Sequence, residues 1–421
     1  LTAARLVLVG LTYVATAVGW GALGASIVGR TGETDARLRQ EVAHLWGGRH
    51  EQLAPDAWWQ RPRTATEEIQ ERNPKGELVT RQVKKTVLDD VPLALESQSV
   101  DVDLDLDQRR KGLLWYNTYA VEFRGRYTVR NPDDTPRDVF VRFRFPSKEA
   151  LYDAFVFRVD GKEDSSRQDF AAGVVRRVAV PARGEVAAEI SFRSRGLGEW
   201  LYAFGEAGVT QVRDFTLTMT TDFAAIDFPP GTISPSSKTA EGEGHRLVWR
   251  FESLVTGQKI GLDPPRRLNP GPLAARITFF APVALLFFFG VTVVLGLLRG
   301  TSLHPMNYVF LAAAFFSFHL LLAYLVDHMN VHAAFAIASA TSVFLVISYL
   351  RLVVGLQFAV LEAGLAQFLF LVLFSYSFFF EGFTGITVTV GAVLTLFVLM
   401  QMTGRVDWNA AFRSSPATPA R

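Results

Sequence analysis

The chain has 421 residues, of which 49% are hydrophobic and 20% charged, with a formal net charge of +2 and no cysteine. The missing cysteine excludes a disulfide framework, a thiolate zinc site and a cysteine nucleophile, and the near-balanced charge gives no basic face, so no nucleic-acid partner is expected. The average hides two unlike parts, because from Leu273 onward only ten residues are charged (Arg276, Arg299, Asp327, Arg351, Glu362, Glu381, Arg405, Asp407, Arg413 and Arg421), which excludes a simple soluble enzyme.

A bilayer core about 30 Å thick needs about 20 apolar residues in a helix. Residues 6–28 meet that requirement. So close to the start of the chain they read either as an uncleaved anchor or as a secretory signal with Ala22-Leu23-Gly24-Ala25 as its small-residue cleavage region; the apolar stretch is long for a signal core, and the anchor is the expectation. Ala17, Gly21 and Ala25 recur every four residues, a spacing that lets a second helix approach closely. This face is therefore expected to pack, and Gly21→Leu to weaken it.

Residues 29–272 are polar, with an amphipathic helix expected over 33–46 and period-two patterning after it. Val102, Leu104 and Leu106 alternate with Asp101, Asp103, Asp105 and Asp107, and Val139, Val141, Phe143 and Phe145 with Phe140, Arg142 and Arg144. Further strands are expected over 115–129, 154–159, 173–180, 185–192, 214–220 and 246–251, with turn residues between them. So many short strands point to an antiparallel sandwich or a pair of sheets. The aspartate comb reads either as a calcium site or as a solvated strand face; alternate residues lie too far apart in a line to wrap one ion, and the solvated face is the expectation. There is no Walker-type glycine loop, no G-x-S-x-G and no H-E-x-x-H, and Gly161-Lys162 lacks the rest of a phosphate loop.

Five more windows are long and apolar enough to span: 277–298, 308–326, 331–350, about 356–380 and 383–403, with the boundary between the fourth and fifth of the six spans left open around Arg351. Placing the N-terminus in the cytoplasm puts Arg299, Arg351, Arg405, Arg413 and Arg421 inside, while the short outer turns carry only Asp327 and Glu381; this is the asymmetry of the positive-inside rule. The expected organisation is an anchor over 1–28, an extracytoplasmic β-rich domain over 29–272, a five-helix bundle over 273–404 and a cytoplasmic tail over 405–421. The expected fold class is therefore a membrane α-helical bundle of about six transmembrane helices plus a sandwich-like β-rich extracytoplasmic domain.

His319 and Glu362 fall inside spans, where an ionisable group costs about 2.5–3.5 kcal/mol on insertion scales and should face the bundle interior or a cavity. They read either as a proton relay or headgroup site, or as interhelical hydrogen bonds, with Glu362 near the inner interface as a further alternative. His328 and His332, with Asp327 beside them, would form a metal trio if one helix carried them; the plainer reading is a wet interfacial turn, and no metal or cofactor is expected. The runs 287–289 and 378–380 are expected to be lipid-facing or packed phenylalanines, and Trp408 to join an interfacial aromatic belt.

Leu303-His304-Pro305-Met306-Asn307-Tyr308, opening the third span, resembles the inner-membrane CreD family of bacterial envelope proteins. So do, in order, His319-Leu320-Leu321-Leu322-Ala323 with Asp327-His328, Ala336-Ile337-Ala338-Ser339, and Arg405-Val406-Asp407-Trp408. In the polar domain the similarity is patchier, at Arg110-Lys111-Gly112-Leu113-Leu114-Trp115-Tyr116 and over 246–249. The resemblance implies one N-terminal anchor, a periplasmic β-rich domain, a helical bundle in the inner membrane and an association with envelope integrity and envelope stress. It implies no catalytic residues.

The reading that follows is a non-enzymatic inner-membrane envelope protein. Membrane lipids surround it, and its β-domain binds another inner-membrane or periplasmic protein or complex. A small polytopic transporter or lipid-handling protein using His319 and Glu362 is the alternative, and a metallohydrolase at Asp327, His328 and His332 ranks last.

Overall fold

The computed structural model describes residues 3–72, 78–112, 114–163, 173–206, 208–300, 303–380 and 382–404. The cytoplasmic tail expected over 405–421, with Trp408, and the outer-turn Glu381 lie outside the described residues. Two compact units divide the chain: Leu1–Arg37 with Arg110–Trp115 and Leu268–Arg421, and Leu38–Arg109 with Tyr116–Arg267.

Among the described residues, six helices are long and apolar enough to cross a membrane. The first, α1, runs Ala3–Trp46 as one helix of 44 residues. The expected break between an anchor ending at residue 28 and a helix over 33–46 is therefore absent. Gly29-Arg30-Thr31-Gly32 holds no proline, and an isolated glycine costs a helix only about 1 kcal/mol. The helix stops at Gly47, whose φ is +103° and where an added Cβ would lie 2.0 Å from the Arg195 carbonyl oxygen.

The remaining spans are α2 (Pro270–Leu298), α3 (Pro305–Leu325), α4 (Val331–Val354), α5 (Phe358–Phe379) and α6 (Thr384–Thr403). Pro305 opens α3 at a position where its missing N–H costs nothing, with the Met306 N–H donating to His304 Nδ1 at 3.2 Å. The boundary left open near Arg351 falls at Gly355, whose φ of +93° ends α4. Within α5, Phe358–Gly364 and Phe368–Leu373 are wound as π-helix. Their core includes Leu285, Phe288, Phe315, Phe318 and Ala338. In contrast, α6 buries only Thr395.

In the second unit an eight-stranded sheet runs Lys162–Glu163, Tyr152–Val159, Glu185–Leu197, Thr118–Arg130, Leu95–Leu106, Thr210–Thr221, Gly244–Thr256, Ser237–Glu241. A four-stranded sheet runs Val174–Val180, Arg137–Phe143, Asp56–Arg72, Leu78–Leu93, and a small one joins His50–Leu53, Trp200–Ala203 and Ile260–Leu262. The inner faces of all three sheets share one core, with Phe143 of the four-stranded sheet 6.0 Å from Phe192 of the eight-stranded one. Alternation does the sorting: Val100, Val102 and Leu104 are buried while Asp101 and Asp105 are exposed. Among the described residues, Asp103 is taken up by Arg124 at 2.5 Å, which is the solvated-face reading of the aspartate comb.

Candidate functional site

His319 on α3 is fully buried. Its Nδ1 lies 3.2 Å from the Phe315 carbonyl oxygen, and its ring meets the indole of Trp20 on α1 edge to face at 5.3 Å. His319 Nε2 and Trp20 Nε1 are both buried without a hydrogen-bond partner. Glu362 occupies the first π-helical turn of α5, 12% exposed, and its Oε1 accepts from Arg299 at 2.5 Å, while its Oε2 is buried without a partner. The structure does not bring His319 and Glu362 together. Counted along the helices, His319 lies about 9 Å from the end of α3 that carries Asp327, and Glu362 about 6 Å from the opposite end, at Arg299. Each has its own surroundings, and neither lines a described path to the other.

Between them lies a polar string that the sequence reading missed. Gln367, fully buried between the two π-segments, donates from Nε2 to Ser342 Oγ at 2.8 Å, and Ser342 Oγ donates to the Ala314 carbonyl oxygen at 2.6 Å. It ties α5 to α4 and α4 to α3. Such bonds between membrane helices are worth about 0.6 kcal/mol on average, so the string fixes helix rotation more than it stabilises the bundle.

The metal trio does not assemble. A shared helical face needs one continuous helix, but α3 ends at Leu325 and α4 begins at Val331, with Asn330 capping it by accepting from the His332 N–H at 2.9 Å. Asp327 pairs with Arg30 at 3.1 Å, and the His332 ring stacks on Phe379 at 4.8 Å. Among the described residues, no group of three or more His, Asp or Glu side chains is placed to hold a metal.

The small-residue stripe also faces the other way. Gly21 and Ala25 are exposed, and a Cβ on Gly21 would meet nothing within 4 Å. The face of α1 that packs carries Val9, Trp20, Gly24 and Ile27, and a Cβ on Gly24 would sit 2.8 Å from the Phe279 ring. What decides the packed face is the fit of a gap to a ring. Spacing of small residues does not show that fit.

In the β-domain, register places Phe140, Trp58 and Pro92 side by side across three strands of the four-stranded sheet. Phe140 and Trp58 are half-exposed, and their rings stack at 5.6 Å. The Arg142 guanidinium lies over the indole at 5.4 Å and bonds Asp56 at 2.9 Å. Beside them is an open concavity of about 260 Å³ lined by Asp56, Ala57, Trp58, Asp90, Pro92 and Arg142. Trp58 Nε1 is buried without a partner.

No curated protein matches the chain. Among solved structures, a protein from Legionella pneumophila described as nutrient-binding aligns at 9% identity over 54% of this chain and 82% of its own, with a TM-score of 0.29. An overlap that low carries neither fold nor ligand. The family model described as inner membrane protein CreD matches residues 272–409, which take in α3 to α6 whole and α2 from its third residue. Over this segment of membrane helices the chain is similar to the inner membrane proteins of the CreD family, and the match supports assigning it there.

Proposed function

We propose that this is a non-enzymatic envelope protein whose β-domain, held on the extracytoplasmic side by six helices, binds another protein of the envelope. The observation that carries the reading is the Phe140–Trp58–Pro92 row with Arg142 across it. Tryptophan and arginine dominate the energetics of protein interfaces, because a rigid ring and a planar cation cover much area at little entropic cost. Here both sit at the rim of an open concavity rather than in the core. The orientation rests on Arg299 and Arg351 at one set of helix ends and Asp327 at the other. The envelope-integrity role rests on the similarity of residues 272–409 to the CreD inner membrane proteins.

The test is co-purification in mild detergent followed by mass spectrometry. A protein partner retained by the wild-type chain is expected to be lost from Trp58→Ala, with an affinity about 30-fold weaker, as for truncation of an interface anchor worth about 2 kcal/mol. Leu151→Ala, at a position 80% exposed, should keep it. Equal retention by the Trp58 variant, or no protein partner for the wild type, would sink the proposal.

A further inference from the structure

Asp56–Arg72 and Leu78–Leu93 form a long antiparallel ribbon, registered from Ala57 opposite Leu93 to Arg72 opposite Leu78. Only its root is built into a larger sheet, since pairing to Arg137–Phe143 covers Asp56–Trp59 and no more. From Gln60 to Arg72 the ribbon runs on for about 40 Å at the usual rise of about 3.3 Å per residue, with no other described strand on either side. A two-stranded ribbon is marginal in water by itself, and an uncovered edge is a template for pairing. Leu78–Leu93 is the edge strand of its sheet along its whole length.

The prolines say which residues address that edge. Pro62 stands opposite Leu88, and Pro92 opposite Trp58, positions of one parity in the ladder. Having no N–H to give, a strand proline is tolerated where the N–H would point away from the partner strand. Even-numbered residues of the edge strand therefore turn their backbone groups outward: Lys84, Thr86, Leu88 and Asp90.

Charges on this edge reverse about Val87. The sequence reads Lys84-Lys85-Thr86-Val87-Leu88-Asp89-Asp90. Edge charges of one sign would simply repel another strand, but these cancel when the strand meets its own copy antiparallel about a two-fold axis at Val87. Lys84 of one copy then stands opposite Asp90 of the other, Lys85 opposite Asp89, and Thr86 opposite Leu88. The backbone pairs fall at the even positions that face outward, so charge and hydrogen-bond phase select the same register. Among the described residues, these side chains make solvent-reachable contacts, such as Arg63 with Asp89 at 2.8 Å and Lys85 with Glu67 at 3.8 Å, which exchange partners at little cost.

We propose that the protein self-associates through this edge, two copies joining their ribbons into one four-stranded sheet centred on Val87. The interface is isologous, each copy presenting the same patch. It is separate from the Trp58 row and does not depend on the partner proposed there.

The absence of cysteine makes the test direct. Val87 of both copies would form a non-hydrogen-bonded pair with Cα atoms about 4.5 Å apart, within disulfide reach. Val87→Cys in the full-length protein, oxidised in membranes, is expected to give a disulfide-linked dimer at least tenfold above Ala65→Cys. That second position lies on the inner strand, across two edge strands from its copy and out of reach. Adding Lys84→Asp with Lys85→Asp should abolish the link, and adding Asp89→Lys with Asp90→Lys to those should restore it. A Val87→Cys link no stronger than the Ala65→Cys control, indifferent to the first charge reversal, or unrestored by the second overturns the proposal. So does native mass spectrometry that finds the wild-type chain only at its monomer mass of 46.7 kDa.

Discussion

Acidification from pH 7 to pH 4 is expected to cost the β-domain about 3 kcal/mol through His50 alone. This imidazole is fully buried, edge-on to Tyr119 at 5.9 Å and stacked with Tyr152 at 6.4 Å. Its Nε2 lies 3.5 Å from Ser194 Oγ, and its Nδ1 has no partner. Burial lowers its pKa from 6.5 to about 4, because the charged form has lost its water and gained no counter-charge. Tyr119 and Tyr152, pushed up by the same burial, stay neutral beside it.

The sign follows from proton counts. Above pH 6.5 the ring is neutral whether the chain is folded or not, and nothing is lost. Between 6.5 and 4 the unfolded chain binds a proton that the folded one refuses, so stability falls as pH falls, by about 2 kcal/mol at pH 5. Asp105 works in the opposite direction. Its carboxyl is raised by partial burial and by Asp222, Asp103 and Glu122, so it gains stability on acidification, in the carboxylate range. Chemical unfolding followed by tryptophan fluorescence at pH 7, 5.5 and 4.5 checks the His50 contribution. His50→Gln should flatten the profile through this window, and parallel profiles for wild type and variant would remove His50 as the cause.

The parts of the fold that were legible in the sequence are those where one physical signal acts alone. A span is visible because twenty apolar residues have few other uses, and Leu95–Leu106 because its inward valines and leucine alternate with outward aspartates. The ribbon of Asp56–Arg72 and Leu78–Leu93 was not legible, since beyond its root the described side chains are exposed or at most half-buried and no core imposes a strict alternation. The Trp58 row is not legible either, because Phe140 and Pro92 are 82 and 34 positions from Trp58 and register alone brings them together. Glu362 could be read as an intramembrane carboxylate, but its partner Arg299 lies across a helical hairpin. The histidines at 328 and 332 have the spacing of one helical turn, and a chain reversal between α3 and α4 removes the helix. Spacing is informative only where the element that converts it into geometry is present.

The docking of α1 on the bundle should separate two faces of one helix. Gly24→Leu is expected to destabilise it by about 1 kcal/mol, the low end of the usual cost of overpacking, because an added Cβ alone would already sit 2.8 Å from the Phe279 ring and that half-exposed ring must swing aside. Trp20→Ala is expected to cost about 3–5 kcal/mol, since this indole is fully buried against Phe315, Phe316 and His319. Trp20→Phe should be far milder, keeping a ring while removing an indole N–H that has no acceptor. Gly21→Leu should change stability by no more than about 0.5 kcal/mol. The stripe of Ala17, Gly21 and Ala25 is rotated roughly 100° around the helix from the packed face, and nothing lies within 4 Å of Gly21. Thermal midpoints from size-exclusion profiles in one detergent would rank the four variants. A Gly21→Leu midpoint as low as that of Gly24→Leu would mean that the small-residue face meets another helix, and that α1 is docked by spacing after all rather than by the fit of Gly24 to Phe279.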